Sequence, residues 1–154
     1  MKASFKSGLS FGLTSGVITT LGLMVGLHSG THSRAVVIGG ILTIAIADAM
    51  SDALGMHIAE ESKNNGVVSE IWESTIATFM AKFLIALTFV VPVLLLPLEE
   101  AMTVSVGWGL LLLAMLSFLL ARAQQIPAWK VIAEHLVIGI SVIAITHYVG
   151  GWIH

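Results

Sequence analysis

Five stretches, approximately 8–27, 35–59, 74–96, 103–121 and 131–152, are apolar over nearly their whole length. A bilayer core takes about 20 apolar residues in helical form, so each stretch is long enough to span one. The segments between them are polar or turn-forming: His28-Ser29-Gly30-Thr31-His32-Ser33-Arg34, then Glu60 to Glu70 with Asn64-Asn65-Gly66, then Pro97-Leu98-Glu99-Glu100, then Arg122 to Lys130 with Pro127. Asn-Gly and Pro end helices. No segment shows the ten-residue alternation of a membrane barrel. The expected fold is an all-α integral membrane protein, one five-helix transmembrane domain over residues 1–154.

Composition excludes the alternatives. Only 10% of the 154 residues are charged and 56% are hydrophobic. A soluble domain carries about 25% charged residues. No basic patch exists to bind nucleic acid, and no charge-rich tract reads as disorder. The chain has no cysteine, hence no thiolate metal site, disulfide or thiol nucleophile. The first stretch follows Lys2 and Lys6 and could pass for a signal peptide. It is long for one and no A-x-A-like cleavage site follows, so it reads as a span.

Lysine and arginine set the expected orientation. With the N-terminus in the cytosol, inner segments hold Lys2, Lys6, Lys63, Arg122 and Lys130, and outer segments hold only Arg34. The C-terminus is then outside. Trp72 and Trp129 fall towards inner ends, Trp108 and Trp152 towards outer ends, as an aromatic belt would. Without a targeting signal, a prokaryotic plasma membrane is the default location. Gly8, Gly12 and Gly16, then Gly22 and Gly26, form small-xxx-small rows that let helices approach closely. They serve either packing inside the bundle or a homodimer seam. Pro92, inside the third stretch, predicts a kink or a freed carbonyl.

The charges inside the spans carry the functional reading. Asp48 and Asp52 lie in the second stretch, about 18 and 12 Å from Glu60 at a rise of 1.5 Å per residue. Lys82 in the third stretch lies about 15 Å from Trp72, at the same level. A charge at mid-membrane costs at least about 2.5–3.5 kcal/mol on insertion scales, so such residues are functional candidates. Asp48, Asp52, Met56 and Glu60 follow one another at helical spacing along a broad face. Carboxylates suit hard or borderline divalent cations, and a thioether favours softer ones. Lys82 either neutralises the aspartates structurally or competes with a cation for them and couples the exchange to protons. Glu61, Glu70 and Glu73 would rim the cytosolic mouth, as ordinary helix-end acids or as a cation collector. Glu134-His135, His57, His28, His32, His147 and His154 are weaker candidates, read first as interfacial residues.

Three stretches resemble the vacuolar iron transporter family. Phe11-Gly-Leu-Thr-Ser15-Gly16-Val-Ile-Thr-Thr-Leu-Gly-Leu-Met-Val-Gly-Leu27 resembles its first-helix signature. Ser51-Asp52-Ala-Leu-Gly55-Met56-His-Ile-Ala-Glu60-Glu-Ser62 resembles its second, and Glu134-His-Leu-Val-Ile-Gly139 with Tyr148-Val-Gly150 its last helix. The resemblance implies a homodimer of five-helix protomers that exports ferrous iron or manganese from the cytosol in exchange for protons. The family's first-helix aspartate falls at Ser15, and its second-helix Met and Glu fall at Asp52 and Met56. Asp48 stands where a small residue is usual, and Lys82 has no counterpart. The family's cytosolic metal-binding helical domain is lacking. The expected function is divalent cation (Fe²⁺ or Mn²⁺) export by proton antiport, with no prosthetic group and partners limited to a second copy, the bilayer, metal ions and protons. Two alternatives stand: a monovalent cation/proton antiporter, and a non-transporting membrane scaffold with a structural Asp–Lys pair. An enzyme is not expected, since no constellation supplies nucleophile, base and oxyanion donors.

Overall fold

The computed structural model describes residues 3–63 and 67–153, and every regular element among them is a helix. Lys2, Asn64-Asn65-Gly66 and His154 lie outside the described residues. The helices are α1 (Ala3–Thr31), α2 (Arg34–Glu61), α3 (Val68–Thr88), α4 (Val90–Leu95), α5 (Leu98–Gln124) and α6 (Ala128–Ile153). α3 and α4 form one membrane-length element, so five helices are long and apolar enough to cross a bilayer.

Helix ends follow local chemistry. Ser33 accepts from the Val36 N–H at the start of α2. The α3–α4 break falls at Phe89, one turn before Pro92. Pro92 lacks the N–H that the Thr88 carbonyl would have accepted, and its ring crowds that carbonyl. The helix is therefore interrupted where Pro92 predicts a kink or a freed carbonyl. Leu96, just before Pro97, is forced extended (φ −115°, ψ 159°), which ends α4. Glu99 and Glu100 then fall in the first turn of α5 rather than in a connecting segment, where acids favour the helix dipole. Gln125 is left-handed (φ 57°) and its N–H closes α5 onto the Ala121 and Arg122 carbonyls.

α1 is the central helix and packs against α2, α3, α5 and α6. Its glycines explain how. A Cβ at Gly8 would lie 2.3 Å from the Ser74 carbonyl oxygen and one at Gly12 2.5 Å from that of Thr78. At Gly16 it would meet the Lys82 Cα at 3.2 Å. The first glycine row is thus spent on α3 within one protomer, so packing, not a seam between copies, is its role. The second row faces α6: Gly22 meets Val142, Gly26 meets Thr146, and Gly30 approaches Gly150. Close approach of backbones is what small residues contribute where lipid tails supply no hydrophobic drive.

These contacts fix which ends lie together. Gly8 beside Ser74 joins the starts of α1 and α3, and His28 Nε2 lies 3.1 Å from Glu99 Oε1 at the opposite end. Arg34 donates to the Leu96 carbonyl at 2.7 Å, also at that end. Lys6, Lys63, Arg122 and Lys130 share the other. Trp72, Trp129 and Trp152 are exposed near helix ends. Trp108 differs from expectation: it lies ten residues into α5, near mid-helix, and its indole N–H donates to Thr88 Oγ1 at 3.1 Å. The expected span begins at 103, and the five extra N-terminal residues carry Trp108 away from the end.

Candidate functional site

Lys82 is the most buried charge among the described residues. Its side chain is 2% exposed, against 29% for Asp48 and 21% for Asp52. α3 presents Ser74, Thr78 and Lys82 at four-residue intervals to the glycine row of α1, and all three are buried. Thr78 Oγ1 donates to the Ser74 carbonyl at 2.8 Å and reaches the Gly8 carbonyl at 3.1 Å. The missing side chain at Gly16 leaves room for the Lys82 stem, since a Cβ there would come within 3.3 Å of Lys82 Cγ.

The Lys82 ammonium ends among three oxygen-bearing side chains from two other helices. It donates to Asp52 Oδ2 and to Ser15 Oγ, the latter at 2.9 Å. Ser15 in turn donates to Asp52 Oδ2 at 2.7 Å. Asp48 Oδ2 lies 2.5 Å from Nζ but off the direction a hydrogen bond requires, so this buried oxygen has a Coulombic contact and no hydrogen-bond partner. The shared depth expected for Asp48, Asp52 and Lys82 therefore becomes direct contact. With both carboxylates ionised and the ammonium charged, the cluster carries one net negative charge.

Ser15 is not among the site residues expected from sequence. The signal is present in the depth arithmetic: Ser15 lies about 18 Å along α1 from Ala3, level with Asp48 measured from Glu60. What depth does not give is that α1 turns this hydroxyl towards α3.

The remaining candidates are placed elsewhere. Met56 is half-buried, one turn beyond Asp52. Glu60 is buried but joined to Lys63 at 2.6 Å, not to the aspartates. Glu61 is exposed, Glu70 is half-buried in the first turn of α3, and Glu73 is half-buried beside the start of α1. Glu134 is exposed on α6. His57 pairs with Thr75 at 3.1 Å and sets its ring edge against Trp72, outside the cluster. His135 reaches Ser117 at 2.7 Å, and His147 reaches Ser29 at 3.2 Å. His28 and His32 have ring centroids 5.2 Å apart. These histidines mostly tie helices together. Among the described residues, no three His, Asp or Glu side chains converge as a ready-made metal site.

The fold and site define a polytopic α-helical protein with a partly compensated charge cluster, one lysine against two aspartates, set between three helices. Comparison of the chain with protein-family models, with curated proteins and with solved structures finds no match to any of them.

Proposed function

We propose that the chain is a membrane transporter that exports a divalent cation, Fe²⁺ or Mn²⁺, from the cytosol by proton antiport. The observation that carries this reading is the Lys82 ammonium held against both Asp48 and Asp52. The ammonium occupies the position a cation would take. Displacing it, with release of its proton, frees two carboxylates and the Ser15 hydroxyl as oxygen ligands. The neutral amine either stays as a fourth donor or swings aside. Two carboxylates with one divalent cation and a neutral amine sum to zero charge. The same exchange with a monovalent cation leaves the net negative charge in place. A low-dielectric interior favours the neutral product, which supports the divalent ion. Oxygen ligands accept both hard and borderline cations, and Met56 one turn away supplies the only nearby thioether on that face of α2. The resemblance of Ser51 to Ser62 to an iron-transporter signature supports ferrous or manganous ions among these.

The same reading includes a second copy. Asp48 and Asp52 keep a fifth to a third of their side chains exposed on the flank of α2. Ionised carboxylates at that depth do not face acyl chains. A second protomer against α2 would cover them and enclose a route. Positive residues at the Lys6 end support a cytosolic position for that end. The acidic residues Glu61, Glu70 and Glu73 at the same end then collect cations.

Flux into proteoliposomes tests the assignment. Mn²⁺ or Fe²⁺ transport should depend on a proton gradient. In the Asp48→Asn, Asp52→Asn variant it should fall by more than about tenfold, because each interaction with a charged carboxylate is worth about 1.5–3 kcal/mol. Unchanged flux in that variant removes the aspartates from the pathway, and Na⁺ transport in place of Mn²⁺ replaces the ion. The closed ion pair favours one second reading, a scaffold in which Lys82 and the aspartates only fix packing. It requires the charge-swapped pair Asp52→Lys, Lys82→Asp to retain every cellular function.

A further inference from the structure

The inner halves of α1 and α5 part to leave a lateral groove of about 610 Å³. Its deep wall is leucine: Leu9 and Leu13 from α1, Leu116 and Leu120 from α5. Its mouth is polar, formed by Lys6 and Ser7 on α1 and Gln124 on α5, with Ser10 one turn further in. Lys6 has no ion-pair partner among the described residues. Ser7 and Ser10 have no side-chain hydrogen bond among them either. Thr19, Thr43, Thr75, Thr78 and Ser141, by contrast, each donate back to a carbonyl of their own helix, so the two serine hydroxyls of this groove are left to meet a ligand. Near a bilayer's hydrocarbon, an unpaired hydroxyl needs a partner.

Other grooves of the bundle differ in sign. The α1–α3 groove, about 480 Å³, has Glu73 at its mouth. The α2–α3 groove, about 410 Å³, is lined by His57, Trp72 and Thr75 with no lysine or arginine. Only the α1–α5 groove among these joins a cationic mouth to an apolar trough, the shape and charge of a phospholipid. Basic mouths between membrane helices suit anionic headgroups.

We propose that the α1–α5 groove holds one anionic phospholipid of the leaflet at the Lys6 end. The phosphate pairs with the Lys6 ammonium and accepts from Ser7. The Ser10 hydroxyl donates to an ester carbonyl, and one acyl chain lies along the leucines. The lipid fills the gap that α1 and α5 leave open and ties the central helix to α5. The inference is independent of which ion, if any, passes the Lys82 cluster.

Photocrosslinking tests it with the full chain in phosphatidylcholine vesicles. They carry either a phosphatidylglycerol or a phosphatidylcholine probe with a photoactivatable acyl chain. The phosphatidylglycerol probe should label α1 between Leu9 and Thr14 and α5 between Leu116 and Gln124 in preference to the exposed apolar surface of α6. Lys6→Ala should lower that labelling about fivefold, the effect of one basic side chain near an anionic headgroup. Leu120→Trp, which fills the trough, should abolish it while labelling of α6 persists. Equal labelling by the two probes, or labelling of α6 as strong as that of the groove, overturns the proposal. So does full competition by glycerophosphate or inorganic phosphate alone, which would make the groove an anion site without an acyl chain.

Discussion

Replacing Lys82 by methionine is expected to destabilise the protein by about 3–5 kcal/mol, the cost of breaking a buried ion pair from one side. Methionine nearly matches the lysine stem in volume, so little of that loss is cavity formation. What remains is two neighbouring carboxylates on α2 without their counter-charge, with Ser15 donating to Asp52. Discharging them should restore most of the stability. The triple variant Lys82→Met, Asp48→Asn, Asp52→Asn is therefore expected to unfold close to wild type, since neutral replacements of buried ion pairs are often tolerated. Unfolding in a denaturing detergent reads both outcomes. A single variant that loses less than about 1 kcal/mol would show that the cluster is wetter and less coupled than its burial indicates.

The second large effect comes from a residue that touches no charge. At Gly12 an added Cβ would sit 2.5 Å from the Thr78 carbonyl oxygen and 3.0 Å from Ala81 Cβ. The first of these is backbone and cannot rotate away. Gly12→Ala must push α1 and α3 apart, at a cost of about 1–3 kcal/mol for overpacking. Lys82 lies one turn beyond Thr78 and reaches Ser15 across this seam, so the same spreading should lengthen the Lys82–Ser15 hydrogen bond and, under the proposed function, weaken transport. Gly55→Ala is the matched control. Nothing lies within 4 Å of a Cβ there, so alanine should stabilise the helix by about 0.5–1 kcal/mol. Equal effects of the two substitutions on thermal stability would mean that the seam is looser than its backbone distances.

The contrast between these glycines marks where sequence reasoning stops. The small-xxx-small spacing of Gly8, Gly12 and Gly16 announces close packing but not the partner. Nothing in that spacing singles out α3, with Ser74 and Thr78 opposite. Span number is legible because length and apolarity alone decide it. The level of Asp48, Asp52 and Lys82 is legible because helical rise converts residue number into depth. Azimuth is not. Ser15 shares that depth yet does not stand out as a site residue, and Glu60, on the same row as the aspartates, turns instead to Lys63. Over two turns, the i, i+4 row drifts far enough to separate them. Helix ends shift for a related reason. Hydropathy stops at the edge of the apolar stretch, whereas α5 continues back through Glu99 and Glu100 to Pro97, because acids in a first turn satisfy the dipole without being apolar.

Under the proposed function, a cation and the Lys82 proton compete for Asp48 and Asp52. Proton release on cation binding reads that competition. Mn²⁺ is added to the purified protein in weakly buffered detergent while pH and bound metal are followed together. Protons should be released in proportion to Mn²⁺ bound, with neither release nor binding in the Asp48→Asn, Asp52→Asn variant. Mn²⁺ binding without proton release, or binding that survives in that variant, would contradict it.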